Sequence, residues 1–256
     1  MKVSVVLLAA GLGRRMGASK PKAFLSLGGR PLFSHSHQTF LSMKEIRQVV
    51  LVVPPGIGVE GGVIGGARRQ DSVLRGLREV DSDADVVLIH DAARPFVTPE
   101  VVRRVIRAAI RHGGAVPGVP VRDTLKRLGA KGFVLDTLDR EGLWAIQTPQ
   151  GFRKGILEAA YASGHGRRDA TDDAQIVERA GGRIAIVDGN PENFKITSKI
   201  DLDHAEDYLS QRQRPRTTRG THGFPPVRRR LVTMGHGGKP APDGKRRASR
   251  GGPEEH

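Results

Sequence analysis

Two short segments carry residue types whose spacing could do chemistry. In LLAAGLGRRMGASKPKAF (7–24) an apolar run ends at Ala9-Ala10 and opens on Gly11 and Gly13. Glycines after a strand let backbone N–H groups approach a phosphate closely, and a following helix N-terminus would add its dipole. Arg14, Arg15, Lys20 and Lys22 place four cations within nine positions of that turn. The glycine spacing (Gly11, Gly13, Gly17) is one residue longer than a dinucleotide fingerprint. The next apolar run ends in Val53-Pro54-Pro55, with no acid to hold a ribose diol, so NAD is disfavoured. No Gly-Lys-Ser/Thr follows the loop, so it is not a Walker P-loop. A glycine turn with clustered cations favours a triphosphate.

The second segment is VVLIHDAARPF (86–96). Asp91 follows an apolar run directly, at the carboxyl edge where open α/β sheets bind ligands. A carboxylate beside a triphosphate suits Mg²⁺, which takes one or two carboxylates plus phosphate oxygens. Arg94 is near enough in sequence to pair with Asp91 or with a phosphate. His90 closes the apolar run, so it is expected in the core or behind the site rather than in acid–base chemistry.

These segments need a frame, and short β-branched runs recur at 3–9, 49–53, 86–90, 115–121 and 183–189. Amphipathic stretches lie between several of them: 30–43, 68–80, 99–112 and 171–181. In PEVVRRVIRAAIRH (99–112) Val101, Val102, Val105, Ile106, Ala109 and Ile110 share one helical face and the arginines the other. Thr98 followed by Pro99 is a natural helix start. Apolar strands alternating with such helices predict an α/β fold with a mostly parallel sheet covered on both faces. Residues 121–150 break the alternation around Gly129 and Gly132, as a hairpin would. A protruding arm over 121–143 is expected, suited to dimer formation. The opening VSVVLLA flows straight into cations, so it reads as a buried strand rather than a signal peptide.

Composition narrows the class. The 256 residues carry 42 Lys+Arg against 27 Asp+Glu, a formal net charge of +15. Residues 212–256 hold twelve of those cations and three acids, a net of +9, in a Gly-, Pro- and Arg-rich stretch. Such a tail lacks the apolar surface to offset its ordering entropy and is expected to be disordered. The catalytic domain is therefore placed at 1–211. The absence of cysteine excludes disulfide scaffolds, zinc–thiolate sites and cysteine nucleophiles, and fits a reducing, cytoplasmic setting. No apolar run reaches the ~18 residues of a membrane span.

Seven segments, in order, resemble the 2-C-methyl-D-erythritol 4-phosphate cytidylyltransferase family: LAAGLGRRMG…KPKAF, GGARRQDSVLRGL, HDAARPFV, PVRDTLKR, LDREGLWAIQTPQGF, TDDAQIVE and NFKIT. The resemblance implies a Rossmann-like nucleotidyltransferase fold, a homodimer with shared sites, and CTP, methylerythritol phosphate and Mg²⁺ (or another divalent cation) as ligands. It implies that Ala9, Ala10, Gly11 and Gly13 line the nucleotide, with Gly66 and Ser72 reading the cytosine. Arg15 and Lys22 correspond to transition-state stabilisers, and Asp91 to the residue near magnesium. Arg140 and Lys195 correspond to residues that position methylerythritol phosphate, with Arg94, Thr124, Thr148 and Thr171 beside them. Ala67 departs from the family, where a polar or acidic residue often follows the Gly-Gly pair. Two other readings stay open: another sugar-phosphate nucleotidyltransferase, with ribitol phosphate the nearest, and a nucleic-acid binder acting non-specifically through the tail.

Overall fold

The computed structural model describes residues 1–11 and 21–213. Gly13, Arg15 and the tail beyond Gln213 lie outside the described residues. In chain order the elements begin with β1 (Val3–Leu8), the small hairpin β2 (Ser26–Leu27) and β3 (Arg30–Pro31), and α1 (Leu32–Leu41). Next come β4 (Ile46–Val53), β5 (Val63–Ile64), α2 (Arg69–Arg78), β6 (Val86–Asp91), α3 (Pro99–His112) and β7 (Gly114–Pro120). The arm strands β8 (Leu125–Leu128) and β9 (Val134–Leu138) precede β10 (Trp144–Ile146) and β11 (Gln150–Arg153). The chain closes with α4 (Lys154–Ala162), α5 (Asp173–Arg179), β12 (Ile184–Asp188) and α6 (Lys199–Gln213).

The expected alternation of strand and helix builds the central sheet. β1 is flanked in parallel by β4 and β6, with Val5 opposite both Val49 and Leu88. β5 extends the β4 edge, and β12 runs parallel to β7. One departure from the parallel expectation separates β6 from β7, where β11 runs antiparallel to both. Gly118 pairs with Ile146 and with Asp188, so β10 and β12 occupy opposite edges of β7. β10 and β11 are thus two pieces of one antiparallel strand. Their register against β7 slips between Ile146↔Gly118 and Gly151↔Ala115, at the bend holding the cis Thr148–Pro149 peptide.

Both faces of the sheet are covered, which is why its strands are continuously apolar. The period-two alternation of β1 sends Val3, Val5 and Leu7 to one face, where Phe40 of α1 and Val102, Val105 and Ile106 of α3 pack. Val6 points the other way, against Val73 and Leu77 of α2 and a layer holding Leu157 of α4 and Ile176 of α5. Each fully buried aliphatic side chain contributes about 1.5–3 kcal/mol relative to exposure. α3 starts at Thr98 (φ −108°, ψ 151°) with Pro99 as its first residue, though the Thr98 hydroxyl makes no capping bond.

α4 and α6 are elements the sequence reading did not anticipate. α6 runs to Gln213, two residues past the expected domain end at 211. It starts with a reciprocal clip: the Asp201 carboxylate accepts from the Ser198 N–H, and the Ser198 hydroxyl accepts from the Asp201 N–H. Asp201 also accepts from the Thr197 N–H and hydroxyl, which fastens the preceding segment 193–197 to the helix. A third apolar cluster of Leu27, Leu32, Phe96, Ile196 and Ala205 seats α6 against the β2–β3 hairpin.

The arm is confirmed as a hairpin. Among the described residues β8 and β9 pair only with each other, forming a two-stranded sheet of their own. Leu128, Phe133, Val134 and Leu135 on it are exposed. No helix among the described residues is long and apolar enough to cross a membrane.

Candidate active site

The carboxyl ends of β1, β4 and β6 open into one pocket of about 790 Å³, closed on its sides by the start of α2 and by the segment carrying Lys195. Ala9, Ala10, Gly11, Lys22, Gly66, Ser72, Asp91 and Lys195 all line it, so most of the expected nucleotide residues meet in space. Five described cations line the pocket (Lys22, Arg68, Arg69, Arg75 and Lys195) against the single carboxylate of Asp91. That imbalance suits a polyanionic ligand.

The wall formed by the β5–α2 turn depends on glycine. A Cβ at Gly65 would lie 2.4 Å from Ala10 Cβ and 2.9 Å from Ser72 Oγ. The Ser72 hydroxyl accepts from the Gly66 N–H at 3.0 Å. Arg75 Nη1 donates to the carbonyls of Ile64 and Gly65 at 3.1 and 2.9 Å, so the wall is tied from behind.

Asp91 ends β6 and is held from three directions. Its N–H donates to Thr148 Oγ1 at 3.1 Å, Arg69 Nε donates to Oδ1 at 3.3 Å, and Lys195 Nζ meets Oδ2 at 2.6 Å. Burial alone would raise its pKa, but Arg69 and Lys195 outweigh that and hold the carboxyl well below the usual range. Asp91 is therefore ionised at neutral pH.

His90 takes the background role expected of it. It is fully buried, and burial pushes its pKa down to about 4. Thr148 Oγ1 lies 3.0 Å from His90 Nδ1, while His90 Nε2 lies 3.1 Å from the Arg94 carbonyl. The Arg94 carbonyl can only accept, so Nε2 carries the proton and donates to it, and the Thr148 hydroxyl donates to the unprotonated Nδ1. Thr148 accordingly supports Asp91 from beneath and does not line the pocket.

Arg94 needs a correction. Its guanidinium forms no ion pair with Asp91 and does not line the pocket; Nη1 donates to the Asn193 carbonyl at 2.8 Å and Nη2 to that of Ile146 at 3.3 Å. It braces the segment that delivers Lys195, together with the Ile196 N–H donating to Ala93 at 2.9 Å. Lys22 Nζ donates to the Ile196 carbonyl at 2.9 Å, so Lys22 and Lys195 flank the same strand of backbone.

Besides Arg94 and Thr148, three more expected substrate residues do not reach the pocket of their own chain: Thr124, Arg140 and Thr171. Arg140 is exposed beyond β9, with Nη1 on the Arg122 carbonyl. Thr124 is exposed at the base of the arm, and Thr171 is exposed before α5, its N–H donating to Gln175 at 3.2 Å.

Sequence reasoning missed Arg69. It occupies the first turn of α2, on the stripe continued by Val73, Gly76 and Leu77 that faces the sheet. Its Nη1 lies 2.8 Å from Asp173 Oδ2, and Asp173 is itself fully buried. Burial opposes its charge, yet Asp173 and Asp91 together push its pKa above the ordinary arginine value. A cation at helical spacing on an apolar stripe was the available signal.

Comparison with known proteins agrees with this geometry. A family model for 2-C-methyl-D-erythritol 4-phosphate cytidylyltransferase matches residues 3–211. The chain is 40% identical over 228 residues to the enzyme of that name from Alkaliphilus metalliredigens, covering 83% of this chain and 95% of that one. It is 42% identical over 225 residues to the chloroplastic enzyme of Oryza sativa, covering 82% of this chain and 75% of the rice protein. The crystal structure of the Thermus thermophilus enzyme superposes with a TM-score of 0.71 at 39% identity, over 82% of this chain and 100% of that one. The matched span, the fold and the cation-lined pocket converge on one assignment: this chain belongs to the 2-C-methyl-D-erythritol 4-phosphate cytidylyltransferase family.

Proposed function

We propose that the chain joins 2-C-methyl-D-erythritol 4-phosphate to CTP, giving 4-diphosphocytidyl-2-C-methyl-D-erythritol and pyrophosphate in isoprenoid biosynthesis. The observation that carries this reading is the pocket of five cations and one carboxylate behind the glycine turn. A phosphate monoester has its second pKa near ~6, so the attacking phosphate is already largely dianionic at neutral pH. No general base is required. One phosphate oxygen of methylerythritol phosphate attacks the α-phosphorus of CTP while the bond to the β-phosphate oxygen breaks. Negative charge grows on the α-phosphoryl and leaving groups, and Lys22 and Arg15 meet it there. Lys195 holds the methylerythritol phosphate, and Ala10, Gly66 and Ser72 receive the cytosine.

Asp91 is the single described carboxylate in the pocket, buried and ionised, and no described cluster of three or more His, Cys, Asp or Glu could cage a metal. That donor set fits Mg²⁺, which is usually bound through one or two carboxylates together with substrate phosphate oxygens. When bound at Asp91 it would neutralise charge on the triphosphate. The working form is a homodimer in the cytoplasm. The exposed apolar residues of the arm and the distance of Arg140 from its own pocket support an exchange in which each arm serves the partner's site. The tail adds only salt-sensitive attraction to polyanions.

The test is turnover of CTP with Mg²⁺ and a series of alcohol phosphates, read as pyrophosphate release. Methylerythritol phosphate should be used at a far higher kcat/KM than ribitol 5-phosphate. The reverse order would overturn the substrate assignment and leave a different sugar-phosphate nucleotidyltransferase.

A further inference from the structure

We infer that Arg69 is a positioning residue whose task is to hold the Asp91 carboxylate in a fixed orientation, and that a buried Asp173–Tyr161 pair holds Arg69. The inference rests on the cytidylyltransferase reading and extends it to residues outside the expected set.

Arg69 bridges two unlike carboxylates. Through Nη1 it contacts Asp173 Oδ2 at 2.8 Å, and through Nε it donates to Asp91 Oδ1 at 3.3 Å. Asp173 is anchored by two separate elements, α4 and β11. The Tyr161 hydroxyl of α4 donates to Asp173 Oδ1 at 2.6 Å. Gln150 Oε1 of β11 accepts the N–H groups of Asp173 and Ala174, each at 3.1 Å. Gln150 Nε2 donates to Asp172 Oδ2 at 2.8 Å, so Gln150 grips both ends of the turn into α5.

The direction of control follows from burial. Asp173 is fully enclosed and away from the pocket, whereas Asp91 opens on it. The fixed end is Asp173, and the guanidinium fork transmits that position to Asp91. With Oδ1 occupied by Arg69, Asp91 presents Oδ2 to Lys195, 2.6 Å away. A buried ion pair is seldom needed for stability alone, since apolar packing often serves as well. Arginine is suited to this task because one planar group can donate along two fixed directions, which the single ammonium of lysine cannot reproduce.

The experiment is a double-mutant cycle on the full chain, with CTP, Mg²⁺ and methylerythritol phosphate as substrates. Wild-type turnover is read first; its absence would sink the functional reading and not the Arg69 assignment. Arg69→Met should lower kcat at least about tenfold while leaving KM for CTP within about threefold, the pattern of a lost transition-state interaction. In an Asp91→Asn background the same substitution should cost no more than about twofold, because a residue acting through Asp91 has nothing left to orient. Arg69→Lys should recover only part of kcat. Tyr161→Phe should lower kcat about threefold to tenfold, and that loss should vanish in the Arg69→Lys background. CTP affinity measured by calorimetry on each variant should stay near wild type, which checks that the pocket is folded without recourse to turnover. If Arg69→Met does not fold, the Tyr161→Phe and Arg69→Lys cycle decides. Equal losses in both backgrounds, or an unchanged kcat in Arg69→Met, would overturn the inference.

Discussion

Replacing Gly65 by alanine tests the base-receiving wall with a control from the same fold. The new Cβ would sit 2.4 Å from Ala10 Cβ, 2.9 Å from Ser72 Oγ and 3.3 Å from the Val53 carbonyl. Carbon atoms rest about 3.5–4.0 Å apart, so Ala10 and the wall must separate by about 1 Å. Forced overpacking of this kind costs about 1–3 kcal/mol. Both crowded neighbours line the pocket, so the relaxation displaces the surfaces assigned to cytosine. If that strain falls on the bound state, the same energy weakens CTP binding by about five- to 150-fold. Gly76→Ala supplies the comparison: its Cβ would lie 2.5 Å from Val6 Cγ1 and 2.9 Å from Val52 Cγ2, where α2 meets the sheet. There the strain is buried away from the pocket and is partly offset by the ~1 kcal/mol gain in helix propensity. Urea unfolding and calorimetric titration with CTP should show both variants destabilised and only Gly65→Ala weakened for CTP by about tenfold or more. Wild-type affinity in Gly65→Ala, or equal weakening in Gly76→Ala, would refute the placement of the base.

Three other expectations accompany it. Lys22→Ala and Arg15→Ala should each lower kcat by about 10²–10³-fold with a much smaller effect on CTP binding, measured by steady-state kinetics beside calorimetry. Mixing an Arg140→Ala chain with a Lys22→Ala chain, once subunit exchange has been demonstrated, should restore about a quarter of wild-type activity, since half the dimers then carry one intact site; no recovery would place Arg140 in its own subunit's site. His90, whose pKa falls to about 4 in the fold against an ordinary 6.5, binds fewer protons folded than unfolded across that interval. Its contribution is therefore complete above about pH 6.5 and is lost as the pH falls, by up to about 3 kcal/mol near pH 4, so urea unfolding of His90→Gln should show a shallower loss over that range.

The sequence made some parts of this molecule legible and hid others for physical reasons. β1, β4, β6 and β7 were visible because strands buried on both faces read as apolar, β-branched runs, and β12 because it keeps such a run although Ile186 is exposed. α3 was visible because its arginines and valines separate cleanly by face. β11 was not: QGFR carries one large apolar residue, Phe152, and its place between β6 and β7 is a matter of long-range pairing. α6 escaped because Ala205 is the one fully buried side chain among those described in it, so little apolar stripe exists to detect. In the site, Asp91 was legible from its place directly after an apolar run and Lys195 through the family resemblance, although 104 positions separate them. Arg94 could be read as pairing with Asp91 or with a phosphate, and the chain settles only the first half, turning the guanidinium onto the carbonyls of Asn193 and Ile146. Arg69 was hidden beside Arg68, an identical residue that faces outward to Asp71 and Asp169. The carboxylates of Asp173 and Asp91, both on the Arg69 side, tell the two arginines apart.

The most direct test of the central claim follows the phosphorus atoms of CTP. The full chain would be incubated with Mg²⁺, methylerythritol phosphate and CTP labelled either at the α- or at the γ-phosphorus. Attack at the α-phosphorus predicts that α-label appears in a cytidine diphosphate ester of methylerythritol and γ-label in pyrophosphate, in equal amounts and only when all three components are present. γ-Label transferred to methylerythritol phosphate, or α-label remaining in CTP and CMP, would contradict the account.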